Sequence, residues 1–370
     1  MEFTSAINMP AGYTLTTDKD AREGLVVVVK GTFDLPVDGS IPKLSQDQLP
    51  LVESDEFFGE PGFSCTKYES DYVPLKPRCD VLLNGSAYAP EGKPRKTIDV
   101  GLRVSSVNKV FTVVGDRYWR VGAASAGASD AEPFKILSFN YDVAFGGIDD
   151  FHQDDETRDA YMANPTGVGF HKFKEKDLVN NTPLPNTEEK KKTVSSPFGK
   201  YRPVSFGAVG RGWPERAKYA GTYDDTWMEK VFPFLPEDFD ERYFQAAPED
   251  QQCDYLVGGE QVELLNLTPQ GRTSFVIPKL KIPVAFFPRE GEAIQREAVL
   301  DTLLIEPDER RFSLVWRSQQ SLKKNVFEIY EILVGHKSRA WWRARILGKE
   351  HHSSLSEVIS SKLEGESADE

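Results

Sequence analysis

The chain has 370 residues and a formal net charge of −13 at pH 7. A chain of this length forms one large domain or two, with a core that needs neither a metal nor a disulfide for stability. The acidic balance argues against general nucleic-acid binding, because contacts with phosphates require a basic surface. We therefore expect no nucleic acid among its partners.

The cysteines and the apolar segments indicate the compartment. Cys65, Cys79 and Cys253 form no CxxC pair and leave an odd thiol, which favours neither a zinc site nor a secreted disulfide framework. The segment from Met1 to Asp20 lacks the basic start and apolar stretch of a signal peptide, and no apolar run reaches about 18 residues. We expect a cytoplasmic protein without a membrane partner.

In chain order, short runs of β-branched and aromatic residues, separated by glycine, proline and asparagine, predict β-strands. The clearest hairpin joins Ala298–Ile305 to Arg311–Arg317 through a turn at residues 306–309. Val326–Val334 is expected to add a third strand to this meander. The other predicted strands are Leu25–Phe33, Asp80–Ala87, Thr97–Val104, Lys109–Val114, Phe134–Phe139, Arg272–Ile277 and Ile282–Phe287.

Helical signals are few. In one candidate helix, Ser338 is positioned to cap the N-terminus and Gly348 to end the helix. The predicted helices are Asp154–Met162, Thr222–Val231, Pro236–Phe244 and Ser338–Leu347. The sequence thus predicts a mainly β fold of stacked antiparallel sheets, similar to a β-sandwich, with long ordered loops and a few short helices.

Regular patterns fade between residues 146 and 220, where glycine, proline and charged residues dominate. We expect a single β-rich domain over residues 1–350 with an irregular insertion at 146–220. Asn186–Ser196, which carries a run of lysines, is expected to be a solvated surface loop. Residues 351–370, including His351 and His352, are polar and acidic and are expected to form a disordered tail.

The segment Gly221–Gln251 contains seven aromatic residues, three prolines and nine carboxylates without the periodicity of a helix or a strand. Long segments with little regular structure are functional, disordered or packed by their own side chains. Disordered segments lack aromatic residues, so the second option is poor. We predict an ordered platform held by its aromatic side chains.

Catalytic signatures are absent, since the sequence contains no GxSxG, HExxH or GxxxxGK[ST] motif and no GxGxxG after a strand. Glycoside hydrolysis requires two carboxylates across the scissile bond. Candidates near Trp213 and Trp227 are Asp224, Asp225, Glu237 and Asp238. Asp224 and Asp238 are instead suited to capping short helices, and no spacing singles out a pair. We predict no catalytic residue, cofactor or metal, and keep a carbohydrate hydrolase as an alternative.

Glycine clusters offer a second possible site. Their backbones could cradle an anion, with Arg211 as the only cation within them. The same glycines suit positive-φ turns and close backbone approach beside large aromatic side chains, which is the favoured interpretation. The clusters are Phe145–Gly147, Asn164–Phe170, Phe206–Trp213 and Gly258–Glu260.

The segment from Arg310 to Lys349 is basic, with ten Lys and Arg residues against two Glu in an acidic chain. Such asymmetry indicates a docking surface. Tryptophan and arginine are over-represented at binding hot spots, and this segment contains Trp341, Trp342 and Arg343. One of the tryptophans is equally suited to ordinary core packing, because Trp342 and Ile346 are spaced i, i+4.

Taken together, seven segments resemble a bacterial family of uncharacterised domains encoded in type VI secretion clusters. They are Gly24–Phe33, Phe145–Gly147, Asn164–Phe170, Pro183–Glu188, Phe206–Trp213, Gly221–Gln251 and Gly258–Pro278. The resemblance implies an adaptor or chaperone that stabilises a toxic effector and helps to load it onto a VgrG-type spike or a PAAR-type tip. It implies no catalytic residue.

We therefore hypothesise binding without turnover, with a structural part of the secreted spike as a further alternative. Client contact is expected from residues 146–219 and from Trp341–Arg345 of the basic segment. The partner-binding candidates are Arg211, Trp213, Trp341, Trp342, Arg343 and Arg345. The platform is expected to be the scaffold that holds them, through Asp224, Trp227, Pro236, Asp238, Phe239 and Gln251.

Overall fold

Strands make up most of the regular structure, as the runs of β-branched and aromatic residues predict. The computed structural model describes residues 1–36, 39–122, 126–149, 159–172 and 176–349. The strands are β1 Glu2–Ser5, β2 Ala11–Thr17, β3 Glu23–Asp34, β4 Glu56–Phe57, β5 Thr66–Tyr68, β6 Cys79–Leu83, β7 Gly85–Tyr88, β8 Thr97–Val104, β9 Val107–Val114, β10 Trp119–Val121, β11 Ala126–Ala128, β12 Ile136–Phe139, β13 Phe145–Gly146, β14 Ile148–Asp149, β15 Asp159–Ala160, β16 Val168–Gly169, β17 Thr187–Glu189, β18 Gln252–Cys253, β19 Gln261–Leu265, β20 Arg272–Val276, β21 Pro283–Pro288, β22 Ile294–Glu297, β23 Val299–Glu306, β24 Arg311–Ser321 and β25 Ile329–Val334.

The helices are short. The α-helices are α1 Lys176–Val179, α2 Pro214–Ala217, α3 Asp225–Lys230 and α4 Arg339–Ile346. Single 3₁₀ turns cover Pro90–Gly92, Tyr141–Val143, Glu241–Phe244, Glu249–Gln251, Pro307–Glu309 and Val326–Glu328. The prediction of a mainly β fold is confirmed.

The largest sheet has six strands in the order β18-β6-β23-β24-β3-β2. Its long strand β3 pairs with β24 along their whole length, from Gly24 opposite Ser321 to Asp34 opposite Arg311. Leu25–Val29 is fully buried, because both faces of the sheet are covered at this point. A continuous apolar run, rather than strict alternation, is typical of a strand with no wet face.

Two further sheets complete the core. One has the strand order β17-β9-β8-β19-β20 and the other β1-β25-β21-β22. Phe275 of β20 stacks on Phe312 of β24 with ring centroids 4.7 Å apart, so the five-stranded sheet packs face to face on the six-stranded sheet. Val284 and Ile332 of the four-stranded sheet belong to the same buried cluster. The single-domain organisation over residues 1–350 stays a prediction.

The predicted meander is wrong in its third strand. β23 and β24 form the expected hairpin, but β25 pairs with β1 and β21 in another sheet. Its first pairing is parallel, as is the pairing of β23 with β6. Local pattern predicts the strand correctly, whereas its neighbour depends on contacts far away in the chain.

The predicted helices are confirmed unevenly. Ser338 caps α4 by accepting a hydrogen bond from Trp341 N at 3.1 Å, as predicted. α3 is shorter than predicted, and only the last residues of Pro236–Phe244 form a 3₁₀ turn. Of Asp154–Met162, residues 154–158 lie outside the described residues, and the next two form β15 rather than a helix.

The Asn186–Ser196 segment is only in part the predicted loop. Its first residues form β17, an edge strand that pairs with β9. Glu188 points inward and pairs with Arg117 at 2.7 Å, whereas the lysine run that follows is exposed as expected. The predicted tail at 351–370 lies outside the described residues.

Candidate binding surfaces

The platform Gly221–Gln251 consists of a packed half and an exposed half. In the packed half, from residue 236 onward, Pro236 and Phe239 are buried and Gln251 is completely enclosed. In the exposed half, residues 222–235, α3 and the turn after it are mostly in contact with solvent. The two halves therefore have different roles.

A buried carboxylate fastens the packed half to the six-stranded sheet. Asp80 of β6 is fully buried and accepts hydrogen bonds from Gln245 Nε2 at 2.6 Å and from Ala246 N at 2.7 Å. Lys76 Nζ lies 2.7 Å from the same carboxylate and balances its charge. A buried charge is tolerated only when it is paired and hydrogen-bonded, and both conditions hold here.

Gln251 makes the second joint. Its amide nitrogen donates to the carbonyl oxygens of Val81 at 2.7 Å and Phe206 at 2.9 Å. Its amide oxygen accepts from Lys109 Nζ at 2.7 Å, and that ammonium also reaches Asp250 at 3.0 Å. Burial lowers the pKa of Lys109 to about 8, although the charge of Asp250 opposes that change. Gln251 thus links the end of the platform to the six-stranded sheet.

No sequence pattern pointed to Asp80 or Lys109 as anchors. The available signal is the position of each charge at the start of a predicted apolar strand, where an unpaired charge would face the core. Their partners Gln245 and Gln251 lie more than 140 residues away in the chain.

Close packing joins the two ends of the exposed half, which we call the mouth of the loop. Gly221 has φ +84°, and a Cβ on it would lie 2.9 Å from Pro236 Cβ. The next residue, Thr222, donates its N–H and its hydroxyl to Asp238 at 2.9 and 2.7 Å. These bonds lower the pKa of Asp238 below its ordinary value. The loop is therefore closed at its base without regular structure.

The two predicted helix caps have different outcomes. Asp224 caps α3 by accepting from Trp227 N at 2.8 Å, as predicted. The prediction for Asp238 is wrong, because its carboxylate is engaged across the mouth of the loop. The cap of the following 3₁₀ turn is Asp240, which accepts from Arg242 N at 2.9 Å.

Trp227 organises the exposed half. Its indole nitrogen donates to the Phe234 carbonyl at 2.9 Å, and its ring makes edge contacts with Tyr223 and Phe232 at centroid distances of 4.7 and 5.6 Å. The predicted pinning by aromatic side chains is therefore present. Its consequence was not predicted, because these side chains pin the loop while facing solvent.

Four large apolar side chains of this half are exposed, and we call them the aromatic face. The exposed fractions are 54% for Tyr223, 59% for Met228, 61% for Phe232 and 46% for Phe234. Single exposed apolar residues are ordinary, but four of them on one short ordered loop indicate an interaction surface.

The basic segment presents a different surface. Trp341 and Trp342 of α4 are half-buried and pack on Phe287 of the four-stranded sheet, at centroid distances of 6.3 and 5.7 Å. Each tryptophan ring is therefore buried on one side, as in core packing, and exposed on the other, where it is available for contact. The adjacent Ile346 and Leu347 are 82% and 58% exposed.

Arg345 attaches α4 to the sheet. Its guanidinium lies 3.8 Å from the Phe287 ring centroid and donates to Glu331 at 3.1 Å and to the Tyr330 hydroxyl at 2.8 Å. Arg343 is exposed on the same helix. Of the two arginines predicted to bind a partner in this segment, only Arg343 presents its charge mainly to solvent.

The remaining partner candidates, Arg211 and Trp213, make contacts within the protein. Arg211 donates to Asp55 through two nitrogens at 2.7 and 3.1 Å. Trp213 is only 8% exposed and meets Tyr141 edge-on at 5.3 Å within a small core cluster. Trp213 does not contribute to the exposed surface, whereas the Arg211 side chain is 27% exposed but already paired with a carboxylate.

At Gly146, one of the glycine clusters shows the positive φ and close backbone approach that the sequence favours. It has φ +150°, and a Cβ there would lie 2.1 Å from the Asn164 carbonyl oxygen. Asn164 is fully buried and donates to the carbonyls of Tyr141 at 2.8 Å and Phe145 at 3.1 Å. Close backbone approach, rather than an anion, occupies the space beside this glycine.

No three His, Cys, Asp or Glu side chains of the described ranges are grouped so as to hold a metal ion. Cys65, Cys79 and Cys253 are buried free thiols. Each helix within the described ranges is too short or too polar to cross a bilayer.

One comparison with known proteins gave a match. A family model described as an uncharacterized protein conserved in bacteria (DUF2169) matches residues 20–317. The aromatic face lies inside this range, whereas α4 lies beyond it. No curated protein and no solved structure matches the chain at a significant level.

Proposed function

The chain belongs to this uncharacterized bacterial family, and from its surfaces we propose that it is a cytoplasmic adaptor that binds other proteins without catalysis. Its client is a type VI secretion effector, which it stabilises and helps to load onto a VgrG-type spike or a PAAR-type tip. The secretion role is drawn from the sequence resemblance, and the mode of binding from the aromatic face.

The observation that carries the proposal is the exposure of Tyr223, Met228, Phe232 and Phe234 on a fixed loop. Covering these half-exposed side chains contributes about 3 to 6 kcal/mol before the entropy of association is subtracted. Because Trp227 and the Thr222–Asp238 bonds already order the loop, little additional entropy is lost when a partner binds. A protein that binds only the folded client stabilises it by mass action and needs no cofactor.

The hydrolase alternative receives no support from the geometry of the acids. Asp224 is engaged as a helix cap, and hydrogen bonds lower the pKa of Asp238. A general acid in glycoside hydrolysis requires the opposite shift, towards a raised pKa.

The proposal is tested by co-purifying the toxin encoded beside this gene with the tagged full-length chain. The double variant Phe232→Ala/Phe234→Ala should lose most of the bound toxin while its thermal unfolding is unchanged. Phe327→Ala is the matched control, because Phe327 is an aromatic residue 74% exposed on another part of the surface. Unaltered recovery of toxin by the folded double variant would refute the assignment of this face.

Secretion separates the adaptor from a structural spike component. An adaptor should remain in the cells when the spike reaches the culture medium. Recovery of the chain in the medium in amounts comparable to the spike would favour the structural role.

A further inference from the structure

The segment that carries the aromatic face is rich in carboxylates. Residues 222–238 contain five carboxylates and one cation, Lys230. Asp225 and Glu229 are both exposed on α3, at i, i+4, and Met228 of the aromatic face lies between them in the sequence. Glu237 is exposed where the chain leaves the exposed half.

These three carboxylates differ from two acids further along the packed half. There, Glu249 pairs with Lys218 at 3.4 Å, and Asp240 pairs with Arg242 at 2.6 Å. Asp225, Glu229 and Glu237 have no ion pair with any of the residues that the structure describes. The charges of Asp240 and Glu249 are therefore neutralised, whereas those of the three carboxylates, like that of the exposed Glu241 further along, are left uncompensated.

We propose that the aromatic face docks a basic amphipathic segment of the client protein, one that carries apolar side chains flanked by lysine or arginine. The apolar side chains cover Phe232 and Met228, and the cations meet the three carboxylates and the electron-rich faces of the aromatic rings. Anionic partners such as nucleic acid or an acidic peptide are repelled. The inference rests on the proposed function in using the same face, and adds the chemistry of the partner.

The test uses the full-length chain and two fluorescent helical peptides with one leucine pattern, whose polar positions are all lysine or all glutamate. Fluorescence anisotropy should show binding of the lysine peptide that weakens as salt is raised. The glutamate peptide should bind at least about tenfold more weakly, since like charges replace several exposed pairs.

Matched variants distinguish the effect of the three local carboxylates on peptide binding from the effect of the net charge of −13. Asp225→Asn/Glu229→Gln/Glu237→Gln should weaken the lysine peptide about tenfold, the combined effect of three exposed pairs. Glu290→Gln/Glu292→Gln/Glu309→Gln removes three exposed carboxylates elsewhere and should have little effect. Equal binding of the two peptides, or equal effects of the two triple variants, would overturn the inference.

The same variants in the toxin co-purification distinguish the two proposals. If toxin is lost with Phe232→Ala/Phe234→Ala but not with the Asp225 triple variant, only the inference that the client segment is basic would be contradicted. Retention with both would sink the proposed function of the face as well. Sedimentation of the chain alone checks a second copy as the occupant: a dimer that dissociates in the Asp225 triple variant would overturn the assignment to a client.

Discussion

Replacing Gln251 with leucine tests the joint between the platform and the six-stranded sheet. The side chain is fully buried, and its amide makes three hydrogen bonds of 2.7 to 2.9 Å, with Val81, Phe206 and Lys109. Leucine has a similar volume but no polar atom. The substitution leaves two buried carbonyl oxygens and a buried ammonium group each short of one partner.

The expected loss follows from these three groups. A buried polar group left without a partner costs about 1 to 3 kcal/mol. Lys109 keeps Asp250 at 3.0 Å, so its share lies at the lower end. After allowance for the buried apolar surface of leucine, about 1 to 2 kcal/mol, the free energy of unfolding should fall by about 1 to 6 kcal/mol.

Urea unfolding monitored by tryptophan fluorescence measures this loss as a lower midpoint with an unchanged slope. Gln261→Leu is the control, because Gln261 is exposed on β19, and the substitution should change stability by less than about 0.5 kcal/mol. A loss for Gln251→Leu no larger than that of the control would refute the role of Gln251 as a joint.

Three further outcomes are expected. The pKa of Lys109, about 8, lies below its ordinary 10.5, so the unfolded chain binds more protons than the folded chain between pH 8 and 10.5. As the pH is raised through this window, the stability of the wild type should therefore increase relative to that of Lys109→Met. A difference in the free energy of unfolding between the wild type and Lys109→Met that stays constant in urea titrations from pH 8 to 10.5 would contradict this. Gly146→Ala forces a Cβ against the Asn164 carbonyl and should lower stability by about 2 kcal/mol or more, whereas Gly212→Ala, with open space around it, should stay within about 0.5 kcal/mol in thermal unfolding. Asp224→Ala removes the cap of α3 and should lose about 0.5 to 2 kcal/mol in the same assay, and equal stability would show that the cap is dispensable.

Strands that local pattern makes plain were predicted well. Thr97–Val104 matches β8 at both ends, and Leu25–Phe33 lies within β3. β2 and β19 were not predicted. Ala11–Thr17 contains three threonines and a glycine, and Gln261–Leu265 is only five residues long, so both depend on pairing with neighbours for their extended form. A short run contains few repeats of the period-2 pattern, so its signal in a single sequence is weak.

For the candidate site, the sequence predicted an ordered segment and the cap at Asp224, both of which depend on neighbours a few residues away. It did not predict that Phe232 and Phe234 face solvent, since composition does not distinguish an aromatic residue that fills a core from one that borders it. Trp213 shows the converse error, because its setting resembles a binding site and its side chain is interior.

The sequence by itself determined many of the strands, that residues 221–251 carry no regular repeat, and that the chain is acidic with a basic segment near residue 340. Only the tertiary structure decided which strands are neighbours, which half of the platform is packed and which charges remain unpaired. The reason is range: Val81 and Gln251 are separated by 170 residues and meet at 2.7 Å. Local pattern records what each residue prefers, and distant partners decide whether that residue is covered.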